Sequence, residues 1–176
     1  MKKAAVHRLL PGQVLIWLIL AVLICPTAAR AATLHSTVVF DFELVDTSLE
    51  NEMRGPRTDE QNRLRGLAPR LRELIAADGR FAVVPLDEAA EANAARINLH
   101  SCNGCDADIA KRLGAEFSVI GIVQKVSNLI LNLTLVLRDA GSGSIRHTIS
   151  VDMRGNTDDT WSRALNDAAR RLLAEM

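Results

Sequence analysis

Residues 117–139, FSVIGIVQKVSNLILNLTLVLRD, decide the fold of this chain. In their second half, leucines occupy every other position from Leu129 to Leu137, which places them on one side of an extended strand. The first half is apolar on both sides, which is typical of a central strand covered on both faces. Gly121 inside it favours a local bulge over a close backbone approach, and Ser127-Asn128 forms the turn. The stretch therefore predicts a long antiparallel hairpin with a buried leucine stripe.

The rest of the chain alternates between strand and helix patterns around this hairpin. In chain order, the other predicted elements are a strand at 36–43, a helix at 58–78, a strand at 81–85, a helix at 87–96, a short helix at 106–113, a strand at 145–153 and a last helix beginning near 157. Right-handed crossovers make the first three strands parallel, and the hairpins make the fourth antiparallel and the fifth parallel again. The sequence therefore predicts a three-layer α/β/α fold around a mixed five-stranded sheet, in the order 2-1-3-4-5 with strand 4 antiparallel.

Residues 1–31 have the parts of a cleaved secretory signal peptide: a basic start, an apolar run at 14–24 and an A-x-A cleavage site at 29–31. Two alternatives are that the segment is retained as a membrane anchor, or that Cys25 is lipidated. The signal peptide predicts that residues 32–176 form a single α/β domain in the periplasm, with no stable membrane insertion after cleavage.

Charge and composition exclude several classes of function. Cleavage would remove four basic residues and no acid, which leaves 17 basic against 21 acidic residues, a net charge of −4. A mildly acidic domain with few aromatic residues and no basic block is not typical of a nucleic-acid-binding protein. The chain has no G-x-S-x-G, no H-E-x-x-H and no phosphate-binding loop. The sequence therefore favours a non-enzymatic protein, and predicts neither catalytic residues nor a cofactor.

The predicted topology collects polar segments at one edge of the sheet, where strands one, three and five all end. The crossover connections that follow strands one and three lie on opposite faces of the sheet, so a crevice is expected between the ends of these strands. We therefore hypothesise that a ligand or partner binds at this edge, and that Lys125 and Arg154 meet Asp46 and Glu50 or an external anion. The alternative is that these groups are ordinary loop residues that pair with one another. The candidate binding residues are Asp46, Thr47, Ser48, Glu50, Lys125, Ser127, Asn128, Arg154, Asn156, Asp158 and Trp161.

Cys102 and Cys105 form a C-N-G-C motif at the start of the short predicted helix, which the topology also places at this edge. In an oxidising compartment, a local disulfide is the default interpretation. A second is thiol–disulfide exchange, because a thiol at a helix start has a lowered pKa. A third is a copper or zinc site formed by His100 with the two cysteines.

Three segments, at 39–50, 125–131 and 154–158, together with Trp161, resemble a family of secreted bacterial proteins of unknown function. The resemblance covers nearly all of the mature chain and implies no activity. The order of elements and the segment 113–123, LGAEFSVIGIV, are also similar to the amino-terminal domain of TolB and to CsgG-type envelope proteins. That similarity implies an anticodon-binding-domain-like layout, and an interaction module in the cell envelope.

Two functional hypotheses follow. The first is a periplasmic, non-enzymatic binding or accessory module whose partner is another envelope or periplasmic protein. The second is a periplasmic thiol–disulfide or metal-handling protein that uses Cys102 and Cys105.

Overall fold

The computed structural model describes residues 33–176, so the predicted signal peptide and Cys25 lie outside the described residues. The elements are β1 (His35–Val39), β2 (Glu43–Asp46), α1 (Leu49–Arg54), α2 (Thr58–Ala77), β3 (Phe81–Val83), α3 (Glu88–Ala94), α4 (Cys105–Arg112), β4 (Phe117–Ser127), β5 (Ile130–Asp139), β6 (Ile145–Met153) and α5 (Asp158–Glu175). Among these helices, none is both long enough and apolar enough to cross a membrane.

The strands form one mixed sheet in the order β3-β1-β4-β5-β6, with β2 also paired to β4. β1 is parallel to β3 and β4, whereas β5 is antiparallel to both β4 and β6. The predicted α/β fold is therefore confirmed. Two details differ. The first predicted strand, at 36–43, is two strands, so the sheet has six strands instead of five, and α1 lies where no helix was predicted.

The break between β1 and β2 is caused by one extra residue. Val39 pairs with Val119 and Glu43 pairs with Ile122, so three residues face two across the break. The ring of Phe42 fills the space above Gly121, where a Cβ atom would lie 2.2–2.5 Å from ring carbons. Glycine at position 121 thus allows the ring of Phe42 to approach the backbone of β4 closely, and it does not mark the predicted bulge.

The two faces of the sheet carry separate cores. One face packs against α2 and α5 and contains the leucine stripe of β5, in which Leu131, Leu133, Leu135 and Leu137 are buried. The other face packs against α3 and α4. This second helical layer does not reach the far side of the sheet, because Thr148, Ser150 and Asp152 of β6 are exposed there.

Candidate functional site

A buried lysine lies at the end of β4, where the sequence predicts the functional edge. Lys125 is 1% exposed. Its Nζ donates hydrogen bonds to Glu60 Oε1 at 2.6 Å, to Asp46 Oδ2 at 3.1 Å and to Glu50 Oε2 at 3.4 Å. Buried lysines are rare unless they are paired, and this one is paired three times. We call Lys125 with these three carboxylates the lysine cluster.

The lysine cluster holds its charges through hydrogen bonds. Burial alone would lower the pKa of Lys125, but its hydrogen bonds to Glu60 and Asp46 outweigh burial and raise the pKa. Burial would likewise raise the pKa of Asp46, but hydrogen bonds from Ser48 and Lys125 lower it. A hydrogen bond from Asn128 is the main reason why the pKa of Glu50 is lowered. Lys125 is therefore a charged ammonium group at neutral pH, and not a base or a nucleophile.

Two asparagines extend the lysine cluster to the neighbouring turns. Asn128 donates to Glu50 Oε2 at 3.0 Å, and Asn156 donates to Glu60 Oε1 at 2.5 Å and to Asn128 Oδ1 at 3.1 Å. The indole nitrogen of Trp161 donates to Asn156 Oδ1 at 2.9 Å. A continuous chain of side-chain hydrogen bonds thus joins α1, the β4–β5 turn, the loop after β6 and the first turn of α5.

The start of α1 is fixed by local hydrogen bonds at the end of β2. Asp46 Oδ1 accepts from the backbone N–H of Ser48 at 2.9 Å, and Ser48 Oγ caps the helix by accepting from Asn51 N at 3.3 Å. Thr47 Oγ1 donates to the carbonyl of Lys125 at 3.3 Å. Asp46, Thr47 and Ser48 therefore serve mainly to position α1 beside β4.

Sequence reasoning missed the contribution of α2. Glu60 is fully buried, and Arg57 donates to Glu50 Oε1 at 3.0 Å and to both oxygens of Asp59. Arg63 joins the group to α5 through Asp158 Oδ1 at 2.5 Å. A signal was present, because Glu60 lies four residues before Leu64 and seven before Leu67, on the apolar stripe of the helix.

The structure brings most of the predicted edge residues together, but not all of them. Within the described part of the chain, Ser127 Oγ accepts a hydrogen bond only from the local N–H of Leu129, at 3.2 Å. Arg154 is exposed and forms no hydrogen bond or salt bridge with another residue in the range 33–176. Lys125, by contrast, bonds to Asp46 and Glu50, as one of the two sequence-based alternatives predicted. Its side chain is too buried to bind an anion from solvent.

Cys102 and Cys105 do not join the lysine cluster, which corrects the expectation that they lie at the same edge. Cys105 packs against the core on the opposite face of the sheet. The loop before Cys102 is held by the Glu43 carboxylate, which accepts from Leu99 N at 2.6 Å and from His100 N at 3.2 Å. Glu43 pairs with Ile122 in the sheet, three positions before Lys125. The cysteines do not reach the edge because the helix that follows them is short. The eight residues of α4 span only about 12 Å, whereas the 11 residues of β4 span about 36 Å.

The two cysteines are joined in a disulfide, with their Cα atoms 5.7 Å apart. The sulfur atoms are therefore not free thiolates, and His100 Nδ1 contacts the carboxylate of Glu43 instead. Within residues 33–176, no group of three or more histidine, cysteine, aspartate or glutamate residues is arranged to hold a metal ion.

Five exposed aliphatic side chains lie close in the chain to Glu50 or to Asn128, which are hydrogen-bonded to each other. The exposed fractions are 68% for Leu49, 75% for Met53, 58% for Val126, 73% for Leu129 and 58% for Ile130. Each lies within three residues of Glu50 or Asn128 in the chain. We call these five side chains the aliphatic tip.

The aliphatic tip corrects part of the predicted hairpin. The pairing of β4 with β5 shifts between Lys125 and Ser127, so the bulge of β4 is at Val126, whose side chain is exposed. Leu129, predicted as the first member of the buried stripe, lies in the turn before β5 begins. The site therefore combines exposed apolar side chains with a polar cluster in which, among the described residues, only the buried Oε2 of Glu60 lacks a hydrogen-bond partner.

Comparison with known proteins gives a family but no activity. Residues 35–173 match the model of a family described as "Protein of unknown function (DUF2380)". This match confirms the resemblance to an uncharacterised family. No curated protein matches the chain.

Several solved structures are similar. The LpoB C-terminal domain from Salmonella enterica is 16% identical with a TM-score of 0.49, over 81% of this chain and 94% of that one. Lipoprotein GNA1162 from Neisseria meningitidis is 16% identical with a TM-score of 0.46, over 79% and 96%. TolB from Acinetobacter baumannii is 12% identical with a TM-score of 0.45, over 80% of this chain and 28% of that one.

Proposed function

Because the chain belongs to this family of proteins of unknown function, we propose a role for it from its own surface: it is a non-enzymatic binding or accessory module of the bacterial cell envelope. In this proposal, the aliphatic tip docks a protein partner in the periplasm. The signal peptide predicted at residues 1–31 supports the location.

The observation that carries the proposal is the pairing of an exposed apolar surface with a rigid polar support. Single exposed aliphatic residues are ordinary, but a group of large ones at one edge marks an interaction site. Here Glu50, which lies on α1, bonds both to Lys125 and to Asn128 in the β4–β5 turn. Because both elements are already ordered, little conformational entropy is lost on docking.

The polar groups at this edge support the docking role better than a catalytic one. The ammonium of Lys125 is surrounded by carboxylates, and the carboxamides of Asn128 and Asn156 donate to Glu50 and Glu60 of the cluster. Groups that hydrogen-bond one another in this way stabilise a surface, and the pairing of Lys125 keeps it charged instead of nucleophilic. Of the cluster's carboxylate oxygens, the buried Oε2 of Glu60 has no hydrogen-bond partner among the described residues.

Site-specific photo-crosslinking tests the proposal in the native host. A benzophenone amino acid replaces Leu129 in one strain, and in a control strain it replaces Ile145, which is 53% exposed but pairs with Arg138, far from the tip. We expect a discrete protein adduct from position 129 and none from position 145. Absence of an adduct from position 129, with the protein folded and exported, would contradict the proposal.

The second candidate is thiol–disulfide exchange, which is favoured by the disulfide at the first residue of α4. A helix start stabilises a thiolate, so Cys105 has the position that such chemistry uses. The double substitution Cys102→Ala, Cys105→Ala separates the candidates. Loss of cellular function with an intact fold and an unchanged adduct from position 129 would favour the redox role.

A further inference from the structure

The two short helices of the second layer, α3 and α4, enclose a groove that takes no part in the proposed function. We propose that this groove binds a small organic oxyanion, that is, a carboxylate or a phosphate ester with a short apolar part. The groove lies beside the core on the face of the sheet opposite α2 and α5, and none of its lining residues in the range 33–176 belongs to the aliphatic tip. The proposal is therefore independent of the proposed function.

Short side chains on α3 leave space for a ligand. The groove has a volume of about 510 Å³, which is within the roughly 300–1,000 Å³ of typical ligand pockets. Its apolar part is lined by the exposed methyl groups of Ala89 and Ala92 on α3, and by the half-buried Leu113 just after α4. A water molecule takes only about 30 Å³, so the groove is much larger than an inorganic ion needs and suits an organic molecule.

Two arginines without partners line the groove. Arg96 and Arg112 are exposed, and neither side chain forms a hydrogen bond or a salt bridge with another residue in the range 33–176. Most arginines in that range bond to a carboxylate, a carboxamide or a backbone carbonyl, and the others that do not are Arg54 and Arg154. Two of the few unpartnered guanidinium groups of the described chain therefore lie at one groove.

The polar lining favours an anion. A guanidinium group binds carboxylate and phosphate oxygens through two parallel N–H donors and stays charged at neutral pH. Asn93 adds a carboxamide that can donate or accept. Asp87 is the one acidic residue among the described lining residues, and its Oδ1 already caps α3 by accepting from the backbone N–H of Ala90 at 2.7 Å. With two guanidinium groups against one carboxylate, the lining has a positive formal charge that attracts anions.

The fold alone does not account for both arginines. Arg112 lies in the last turn of α4, where a cation is stabilised by the helix dipole. Arg96 lies beyond the end of α3, which is at Ala94. Acidic residues outnumber basic ones by 21 to 17 in residues 32–176, so carboxylates are not in short supply as partners for these arginines. A ligand that brings its own oxyanion explains why both are left unpaired at one groove.

Isothermal titration calorimetry of the purified protein with succinate and with sn-glycerol 3-phosphate tests the proposal. We expect saturable one-to-one binding of at least one probe, with a dissociation constant of about 1 mM or lower. Arg96→Gln and Arg112→Gln should each raise that constant about tenfold, because each removes a charge-assisted hydrogen bond. Arg154→Gln is the matched control: it removes the same charge from another exposed arginine and should leave binding unchanged.

A second variant fills the groove and leaves the charges in place. Ala92→Leu puts a larger side chain into the space, and should abolish binding of the probe. The melting temperature should stay near that of the parent, because Ala92 is exposed and leucine is also a good helix former. Binding that persists in a folded Ala92→Leu variant would place the anion outside the groove and overturn the proposal.

The remaining outcomes also decide the matter. Absence of saturable binding at about ten times the expected dissociation constant would overturn the proposal, as would equal weakening by Arg154→Gln and Arg96→Gln. Inorganic phosphate that binds as tightly as sn-glycerol 3-phosphate would indicate an adventitious ion only. Retention on phosphatidylglycerol vesicles without binding of either soluble probe would assign the arginines to a lipid headgroup and overturn the small-molecule ligand. The photo-adduct from position 129 is expected to be the same in every case.

Discussion

Glu60 and Lys125 are charged residues at inward-facing positions of otherwise apolar elements. Glu60 continues the leucine stripe of α2, and Lys125 has the same strand parity as Val119 and Val123. The sequence indicated Lys125 as an edge residue, but its burial was not predictable, because its closest carboxylate lies 65 residues away in the chain. Two charges on buried faces are nevertheless a signal that they pair with each other.

The first prediction concerns the charge of Lys125. Lys125→Met removes the ammonium group and leaves the buried carboxylates of Glu60 and Asp46 uncompensated, so the free energy of unfolding should fall by about 3–5 kcal/mol. Urea denaturation at pH 7 measures it. Arg154→Met is the control and should change stability by less than about 0.5 kcal/mol, because Arg154 is exposed. A loss below about 1 kcal/mol for Lys125→Met would show that the cluster does not support the edge.

The second prediction concerns pH. The pKa values of Asp46 and Glu50 are lowered in the folded protein, so their stabilisation is present above their unfolded values near 4 and is lost as the pH falls through the folded values. The raised pKa of Lys125 has the opposite sign: its contribution is lost only as the pH rises above about 10.5. Unfolding free energy should therefore decline below about pH 4, and less steeply in Asp46→Asn. Parallel pH profiles for the parent and Asp46→Asn would contradict this account.

At the scale of elements, the hairpin and four of the five helices among the described residues were predicted from periodicity, whereas α1 and the two irregularities that shape the site were not. The break between β1 and β2 depends on the fit of Phe42 over Gly121, and the bulge at Val126 depends on pairing with β5. Both are contacts between distant residues, which a local pattern does not contain.

The third prediction tests the fit of Phe42 over Gly121. Gly121→Ala places a methyl group in the space of the ring, and should lower the free energy of unfolding by about 1–3 kcal/mol. In a Phe42→Ala background, the same change should cost much less, because the ring is gone. Gly66→Ala is the control, and should stabilise by up to about 1 kcal/mol. Equal costs in both backgrounds would show that the ring and the glycine are not coupled.

The fourth prediction concerns the disulfide. Cys102 and Cys105 are only three positions apart, so replacing both by alanine should cost no more than about 2 kcal/mol in chain entropy. The melting temperature should fall modestly, to the value that the parent shows in reductant. Docking at the aliphatic tip should be unchanged, since the pair packs on the opposite face of the sheet. Loss of docking in this variant would indicate that the cysteine loop belongs to the site after all.

At the scale of the whole molecule, the alternation of strands and helices predicted the mixed sheet, and the handedness of crossovers predicted which strand ends share an edge. The predicted topology places Asp46, Lys125, Asn128 and Asn156 at one edge, and the structure joins them there by hydrogen bonds. The position predicted for the cysteines was wrong because the topology gives the direction in which each element runs but not how far it extends along the sheet. α4 is much shorter than β4, so its start does not reach the edge. The exposed tip was not predicted, because α1 was not predicted and because Val126 and Leu129, on either side of the predicted turn, were assigned to buried strand faces.

The proposed docking role requires α1 and the β4–β5 turn to act as one surface. The most direct measurement places the photo-crosslinking amino acid at Met53, on α1, and compares the adduct yield with and without Leu129→Glu in the turn. We predict that Leu129→Glu lowers the yield about tenfold or more, and that Ile145→Glu leaves it unchanged. An adduct from position 53 that is unaffected by Leu129→Glu would show that α1 and the turn do not form one docking surface.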